Sequence, residues 1–453
     1  RIRIKLILSI EDQKFLMGQG QFVDDVTMPG LLHMAILRSP LSHGIVKAID
    51  LEKARSMPGV VDVFSSHDID IPLPDIPLRL APFRGFERFL QKPIAVDKVR
   101  YVGEPVAVIV AESPYLAEDA IAKVNLDLEA LPAVTNIEDT AEGKYLLHEV
   151  AGENIGASYR VERGNVETAF DNAPYIHRER FVTNRHAACP LETRGLIGEC
   201  DQDSGRLRLT GAAKVTYFNR RHIAAAFNLD EEEVELIELD VGGGFGSKIY
   251  PYAEEVVCSW AAKKIERPVK WVAERSESFM SDNHGRDHVT HAELALNSDS
   301  KIIGLKVDTI ANLGAYSLVL AAVTPTYLYA PLLLGIYDIP TACCTVKGVY
   351  TNTAPTDAYR GAGRPEATYV IERIITEAAK EIGMDQAEFR KKNFIKKFPH
   401  QQCLVHNIDS GDYDAHLDKA IELSDYKNFE NRRSQSAKKG KLRGIGFSTY
   451  FEA

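Results

Sequence analysis

The sequence predicts an α+β protein of mixed sheets and helices, divided into two or three domains. Three observations carry that expectation. The chain has 453 residues, more than one hydrophobic core ordinarily serves. Short strand-like runs recur along it without strict β–α–β alternation, which disfavours a doubly wound sheet. Two long helical stripes interrupt them, each preceded by a loop poor in side chains.

The opening run IRIKLILSI is too short for a signal peptide and lacks a small-residue cleavage site, so it reads as a local strand or an artificial chain edge. PVAVIVA, Pro105 to Ala111, is a continuous apolar run of the buried-strand type. SPYLAEDAIAKV follows as a helix, with Ser113 as N-cap and Pro114 at the first helical position. VNLDLEAL then alternates with period two, as a half-exposed strand does, so the first ~130 residues form a compact α+β unit.

Leu131 to about Ile155 is an acidic, irregular linker. RLRLTG from Arg206 and KIIGLKVDTIANLGAYS from Lys301 are strands. One helix carries Ala253, Val256, Val257, Trp260, Ala261 and Ile265 on a single face. A second carries Val370, Ile371, Ile374, Ile375 and Ala378, opened by Pro365 and closed by Gly383. A last domain begins near Asn407, and KLRGIGFSTYFEA reads as the first part of a strand without a successor.

Composition excludes several functions. A net charge of -10 argues against nucleic acid or an anionic membrane as the main partner. Lys438, Lys439, Lys441 and Arg443 read as a solvated face. No apolar run approaches the roughly 20 residues needed to span a bilayer. None of the six cysteines forms a CxxC pair, so spacing indicates neither a zinc site nor an iron–sulfur cluster. Adjacent Cys343 and Cys344 suit buried positions, and a reducing, cytoplasmic compartment is the simplest reading.

VGGGFGSKIY, Val241 to Tyr250, has four glycines in five residues, between the strand-like EVELIELD and a helix. Strand, glycines and helix N-terminus together make a common anion-binding geometry, with converging N–H groups and close approach to the backbone. The Walker loop requires Gly-Lys-Ser/Thr, but here Ser247 precedes Lys248; the dinucleotide fingerprint requires a third glycine where Ser247 stands. A ligand-free tight turn is the alternative. A second small-residue loop, DAYRGAGR, feeds the long helix and carries Arg360 and Arg364, suited to phosphate or carboxylate. Two such loops suggest one large anionic cofactor held between them.

GGGFGSK, AYRGAGRPEA, VGEPVAVIVAES, the early GQGQFVDDV with LRSPLSHG, and PLETRG from Pro190 resemble the molybdenum-hydroxylase family. That family comprises xanthine dehydrogenase, aldehyde oxidase and aerobic carbon monoxide dehydrogenase, and the match is to their molybdopterin-binding subunit. The resemblance implies an α/β-hammerhead domain over 1–135, a first molybdopterin-binding domain over 136–400, and the start of an incomplete second one over 401–453. The chain is then either truncated or one half of a subunit split as in nicotinate dehydrogenase.

The resemblance also implies the site. Gly243, Gly244, Phe245 and Gly246 present amides to molybdopterin, and Ala358, Tyr359, Arg360 and Gly361 line the metal from another side. The expected cofactor is molybdopterin with molybdenum, the cytosine dinucleotide form being one option. The implied reaction is hydroxylation with water as oxygen source. Electrons leave through iron–sulfur clusters on a small subunit and FAD on a medium subunit, in a dimer of heteromers. The general base is a glutamate in a Gly-x-Gly-Glu loop that this chain lacks, so a second molybdopterin subunit or C-terminal half must supply it.

Departures from the family pattern narrow the substrate. Purine-oxidising members have a glutamate where this chain has Ile249, an arginine at the place of Leu328, and a stacking phenylalanine at the place of Ala362. Losing those groups costs a purine roughly 1–3 kcal/mol each, which disfavours xanthine. Carbon monoxide-oxidising members carry a copper-binding cysteine at the place of Gly361. Lys214 replaces a glutamine near the metal, and either contacts an oxo ligand or substrate carboxylate or points to solvent. Glu192 is a cleft candidate or, alternatively, the partner of Arg194 or Arg185 in a buried salt bridge.

Aldehydes and N-heteroaromatic compounds remain as substrates. The rival readings are a carbon monoxide dehydrogenase-like large chain of different substrate range, a catalytically degenerate scaffold, and a nucleotide-dependent dehydrogenase.

Overall fold

A computed structural model describes residues 11–69, 74–78, 85–211, 215–249 and 251–452. The run IRIKLILSI and Lys214 lie outside the described residues. Pro105–Ala111 forms a strand buried along its whole length, as its unbroken apolar sequence requires. It pairs antiparallel with Leu32–Arg38 on one side and Val60–Ser65 on the other.

The free edge of Leu32–Arg38 pairs in parallel with Val269–Val272, through Leu32 opposite Val269. The sheet continues through Gly195–Cys200, Leu207–Gly211 and Val234–Glu238, seven strands in all. The N-terminal unit therefore shares a sheet with later sequence instead of closing its own. A ladder edge must be paired or covered, and here residues more than two hundred positions away supply the pairing.

A second sheet of five strands runs in the order Ile155–Arg163, Ala342–Tyr350, Ile302–Gly314, His288–Leu296, Tyr175–Thr183. A smaller one places Gly44–Asp50 between Lys98–Val99 and Asn125–Ala130.

Three helices follow the sequence pattern. Helix α1, Pro114–Ile121, is capped as expected, the Ser113 hydroxyl accepting from the Leu116 amide at 3.3 Å. Helix α2, Ala253–Ile265, lies against the seven-stranded sheet, where a Cβ at Gly198 would stand 3.1 Å from the Cys258 carbonyl oxygen. Helix α3, Arg364–Glu381, buries Val370, Ile371, Ile374 and Ile375 against the second sheet. At roughly 1.5–3 kcal/mol per buried aliphatic side chain, that stripe dominates the docking of α3. Its Gly363 N-cap has φ 88° and the closing Gly383 has φ 69°.

Two expectations change. The supposedly irregular linker contains a short helix, Ile137–Ala141, because the Asn136 side chain accepts from the Glu138 and Asp139 amides. The tail 441–452 forms no strand. It lies along α3 without a ladder partner, held by Thr449, whose hydroxyl donates to Glu372 at 2.7 Å, and by an Arg364–Glu452 ion pair of 2.9 Å. The cationic residues at 438, 439, 441 and 443 are exposed. Cys258 and Cys344 are buried, and all six cysteines are free. Among the described residues no helix is long and apolar enough to cross a membrane.

Candidate functional site

The two small-residue loops meet. The Arg360 amide donates to the Phe245 carbonyl at 2.9 Å, and the Arg360 guanidinium sits 5.6 Å from the Phe245 ring centroid. Gly246, at φ 118°, allows this approach, since a Cβ there would lie 2.1 Å from the Ala358 carbonyl oxygen. Two non-glycine residues adopt left-handed backbone here, Phe245 at φ 51° and Ala362 at φ 44°. Such backbone costs on the order of 1–3 kcal/mol and concentrates where a site needs it.

The first loop is built as an amide cradle. Gly243 has φ 93° and Phe245 φ 51°, while Gly244 between them is not left-handed. Alternating backbone of this kind turns successive N–H groups toward one concavity. The amides of Gly243, Gly244, Phe245 and Gly246 make no hydrogen bond among the described residues. Those of Tyr359 and Gly361 on the second loop make none either. Phe245 is 45% exposed, and the Arg360 guanidinium, also exposed, makes no ion pair among the described residues.

The helix contribution differs from the expectation. Helix α2 begins at Ala253, several residues beyond the glycines, so the first loop stands on turn amides instead of on the helix end. Only the second loop leads directly into a helix, at Gly363.

Glu192 lies under the first loop. Its Oε2 accepts from the Gly242 amide at 2.8 Å and from Lys248 Nζ at 2.7 Å. The salt bridge is therefore with Lys248, and neither expected arginine takes part. Arg194 binds Glu254 at 2.9 Å and Asp282 at 2.6 Å, and Arg185 binds Asp287 at 3.0 Å. Burial pushes the Lys248 ammonium below its usual range, while Glu192 works to raise it.

Several residues that position the second loop escaped the sequence reading. Arg286, itself at φ 66°, donates to the Tyr359 carbonyl at 3.0 Å and to the Arg360 carbonyl at 2.7 Å. Its guanidinium carbon lies 4.7 Å from the Tyr359 ring centroid. Asn283 donates to the Ala358 carbonyl at 3.3 Å and accepts from the Tyr252 hydroxyl. Arg194 stacks 3.8 Å from the Tyr252 ring centroid. The turn-like stretch DNHGRDH was the available signal; nothing in it says which carbonyls Arg286 would reach.

Buried carboxyls beneath the loops diverge. Burial opposes ionisation of Glu254, but Arg194 and Arg38 outweigh it and hold the group at about 2. Burial raises neighbouring Glu255 to about 8. Ile249 and Ala362, one from each loop, pack into a single apolar cluster with Tyr252, Val319 and Ala358.

The donor set suits a bulky, oxygen-rich anionic cofactor: amides turned toward one concavity, an Arg360 guanidinium without an ion pair among the described residues, and Gly246 and Gly363 where a Cβ would meet main chain. Residues 147–394 match the molybdopterin cofactor-binding domain, and residues 17–132 match the a/b hammerhead domain of aldehyde oxidase and xanthine dehydrogenase. The chain belongs to the molybdenum-hydroxylase family.

It is 34% identical over 457 residues to the gamma subunit of the 6-hydroxypseudooxynicotine dehydrogenase complex of Paenarthrobacter nicotinovorans, covering 98% of this chain and 57% of that protein. It is 35% identical over 468 residues to the carbon monoxide dehydrogenase large chain of Hydrogenophaga pseudoflava, covering 98% of this chain and 57% of that one. The crystal structure of quinoline 2-oxidoreductase from Pseudomonas putida 86 superposes with a TM-score of 0.92 at 30% identity, covering 96% of this chain and 56% of that one. The chain thus spans just over half the length of the relatives it matches.

Proposed function

We propose that this chain is the molybdopterin-binding part of a molybdenum-dependent hydroxylase acting on an N-heteroaromatic or aldehyde substrate. The observation that carries the reading is the row of four amides, Gly243 to Gly246, without a hydrogen bond among the described residues and beside a second loop fastened to the first through Arg360. When bound, the cofactor supplies the metal that activates water and accepts the reducing equivalents. The residues of this chain bind and orient it. The amides from Gly243 to Gly246 and those of Tyr359 and Gly361 hold its oxyanions, and Phe245 shields one face from water. Arg360 adds an exposed positive charge.

Substrate class follows from what lines the loops. Ile249 and Ala362 offer apolar surface and no hydrogen-bonding handle, which suits a flat, weakly polar ring better than a purine. The names of a quinoline oxidoreductase and a 6-hydroxypseudooxynicotine dehydrogenase among the similar proteins favour the heteroaromatic option. Gly361 in place of a thiol disfavours a copper-assisted reaction.

The remaining roles belong to the same proposal: cytoplasmic location, a cytosine dinucleotide form of the cofactor, the general base from a completing half, and iron–sulfur and FAD subunits. So do the domain limits 1–135, 136–400 and 401–453. Lys214 and Glu192 stay in it as cleft candidates, Glu192 acting through the first loop.

Co-expression with a segment bearing Gly-x-Gly-Glu, followed by elemental analysis, tests the reading. About one molybdenum per complex is expected for the wild type, with loss in Phe245→Asp and Arg360→Glu that remain folded. A complete, folded complex without molybdenum would overturn it in favour of the scaffold reading.

A further inference from the structure

We infer that the cleft between the hammerhead part and the molybdopterin-binding part is a second binding site, for a small oxyanion that carries its own O–H donor. It rests on none of the cofactor-loop geometry. The cleft measures about 500 Å³ and is lined by Arg88, Lys98, Arg100 and Glu104 from the first part and by His148 and Tyr316 from the second. The wall carries Arg88, Lys92, Lys98 and Arg100 against Asp97, Glu104 and Glu149, and Lys98 is ion-paired to Glu149, which leaves Arg100 as the cation that faces the floor.

The hydrogen bonds on the cleft floor decide what would fit. Tyr316 gives its one hydroxyl hydrogen to Glu104 at 2.6 Å, so its oxygen accepts from Arg100 Nη1 at 3.2 Å. Arg100 Nε donates to the Leu147 carbonyl at 2.8 Å. That leaves Arg100 Nη2 without a partner among the described residues, a charged donor at the wall.

His148 is only 6% exposed, and its Nε2 lies 2.7 Å from the Ala315 carbonyl oxygen. A carbonyl can only accept, so Nε2 carries the hydrogen. Burial lowers the ring to about 4, which keeps it neutral. Nδ1 is then a bare acceptor with no partner among the described residues, and it opens on the cleft. Burial also raises Glu104 to about 7, which lessens its repulsion of an incoming anion.

A guanidinium N–H and an imidazole acceptor, both without a partner among the described residues and both on side chains packed against the Tyr316 ring, call for negative charge and a donor on one small molecule. Orthophosphate and glycolate have both at neutral pH. Sulfate, nearly identical in size to orthophosphate, and acetate, which is glycolate without its hydroxyl, have only the charge. Discrimination within each pair by a single hydrogen bond is worth about tenfold in affinity.

The test is a thermal-shift and calorimetric titration of the full chain at pH 7 and constant ionic strength with all four anions. The expected result is saturable binding of orthophosphate or glycolate, about tenfold tighter than its hydrogen-free twin. Which pair responds tells a phosphoryl ligand from a hydroxycarboxylate. His148→Phe should erase the discrimination while leaving weak charge-driven binding, and Lys98→Met at the rim should weaken all four anions without touching the floor. Equal affinity within both pairs, or no saturable response up to about 20 mM, would overturn the inference.

Discussion

The main chain of Arg360 is hydrogen-bonded to the main chain of Phe245 at 2.9 Å, and their side chains stack at 5.6 Å. Residues 115 positions apart thus form one wall, the two loops joined through main chain. The contact exists because Gly246 brings no Cβ to it.

Gly246→Ala is the sharpest test of that wall. The new Cβ would meet the Ala358 carbonyl oxygen at 2.1 Å, on a backbone at φ 118° that alanine avoids. Neither atom can give way cheaply, since the carbonyl oxygen is main chain and a Cβ is fixed rigidly to its own main chain. A loss of roughly 2–4 kcal/mol in urea unfolding is expected, together with loss of bound molybdenum in the assembled protein. A wild-type midpoint would mean the loops do not touch in this way.

The Glu192–Lys248 pair fastens the first loop from below. Glu192→Leu removes the acceptor for the Gly242 amide and strands an ammonium whose side chain is 1% exposed. The expected cost is about 3 kcal/mol. Adding Lys248→Met should recover much of it, because no buried charge then remains unpaired. A double-mutant cycle by denaturant unfolding gives the coupling, and a value near zero would contradict this role for Glu192.

Glu255 predicts a pH dependence of fixed sign. Its folded value of about 8 lies above the ordinary 4.5. Below the lower value both states hold the proton and no penalty arises. Between the two, unfolding releases a proton that the folded state retains, so stability falls as pH rises, by at most about 1.4 kcal/mol per pH unit. Glu255→Gln keeps an acceptor for the Tyr252 amide and cannot ionise. Its stability should therefore gain on wild type steadily from pH 5 to pH 8 in denaturant unfolding series. A constant difference would show that Glu255 is already charged.

Local order was readable from residue patterns wherever nearest neighbours decide it. The seven apolar residues from Pro105 make a buried strand, Ser113 caps α1, and Pro365 in the first turn and Gly383 past the end bracket α3. The glycine-rich turns were legible for the same reason, since only a backbone needing close approach discards so many side chains. The motif resemblance reached the family as well.

Partner choice was a different matter. The sequence left Glu192 between a cleft role and pairing with Arg194 or Arg185; the fold gives it Lys248 and gives Arg194 to Glu254 and Asp282. It suggested a self-contained N-terminal unit, yet the strand edge at Leu32 is completed by Val269. It offered no sign that Arg286 would hold two carbonyls of the second loop. Turns, caps and buried runs depend on residues a few positions apart, so the amino-acid order alone determines them. Ion pairs, strand neighbours and the meeting of two loops depend on which distant surfaces pack together, and only the tertiary structure decides that.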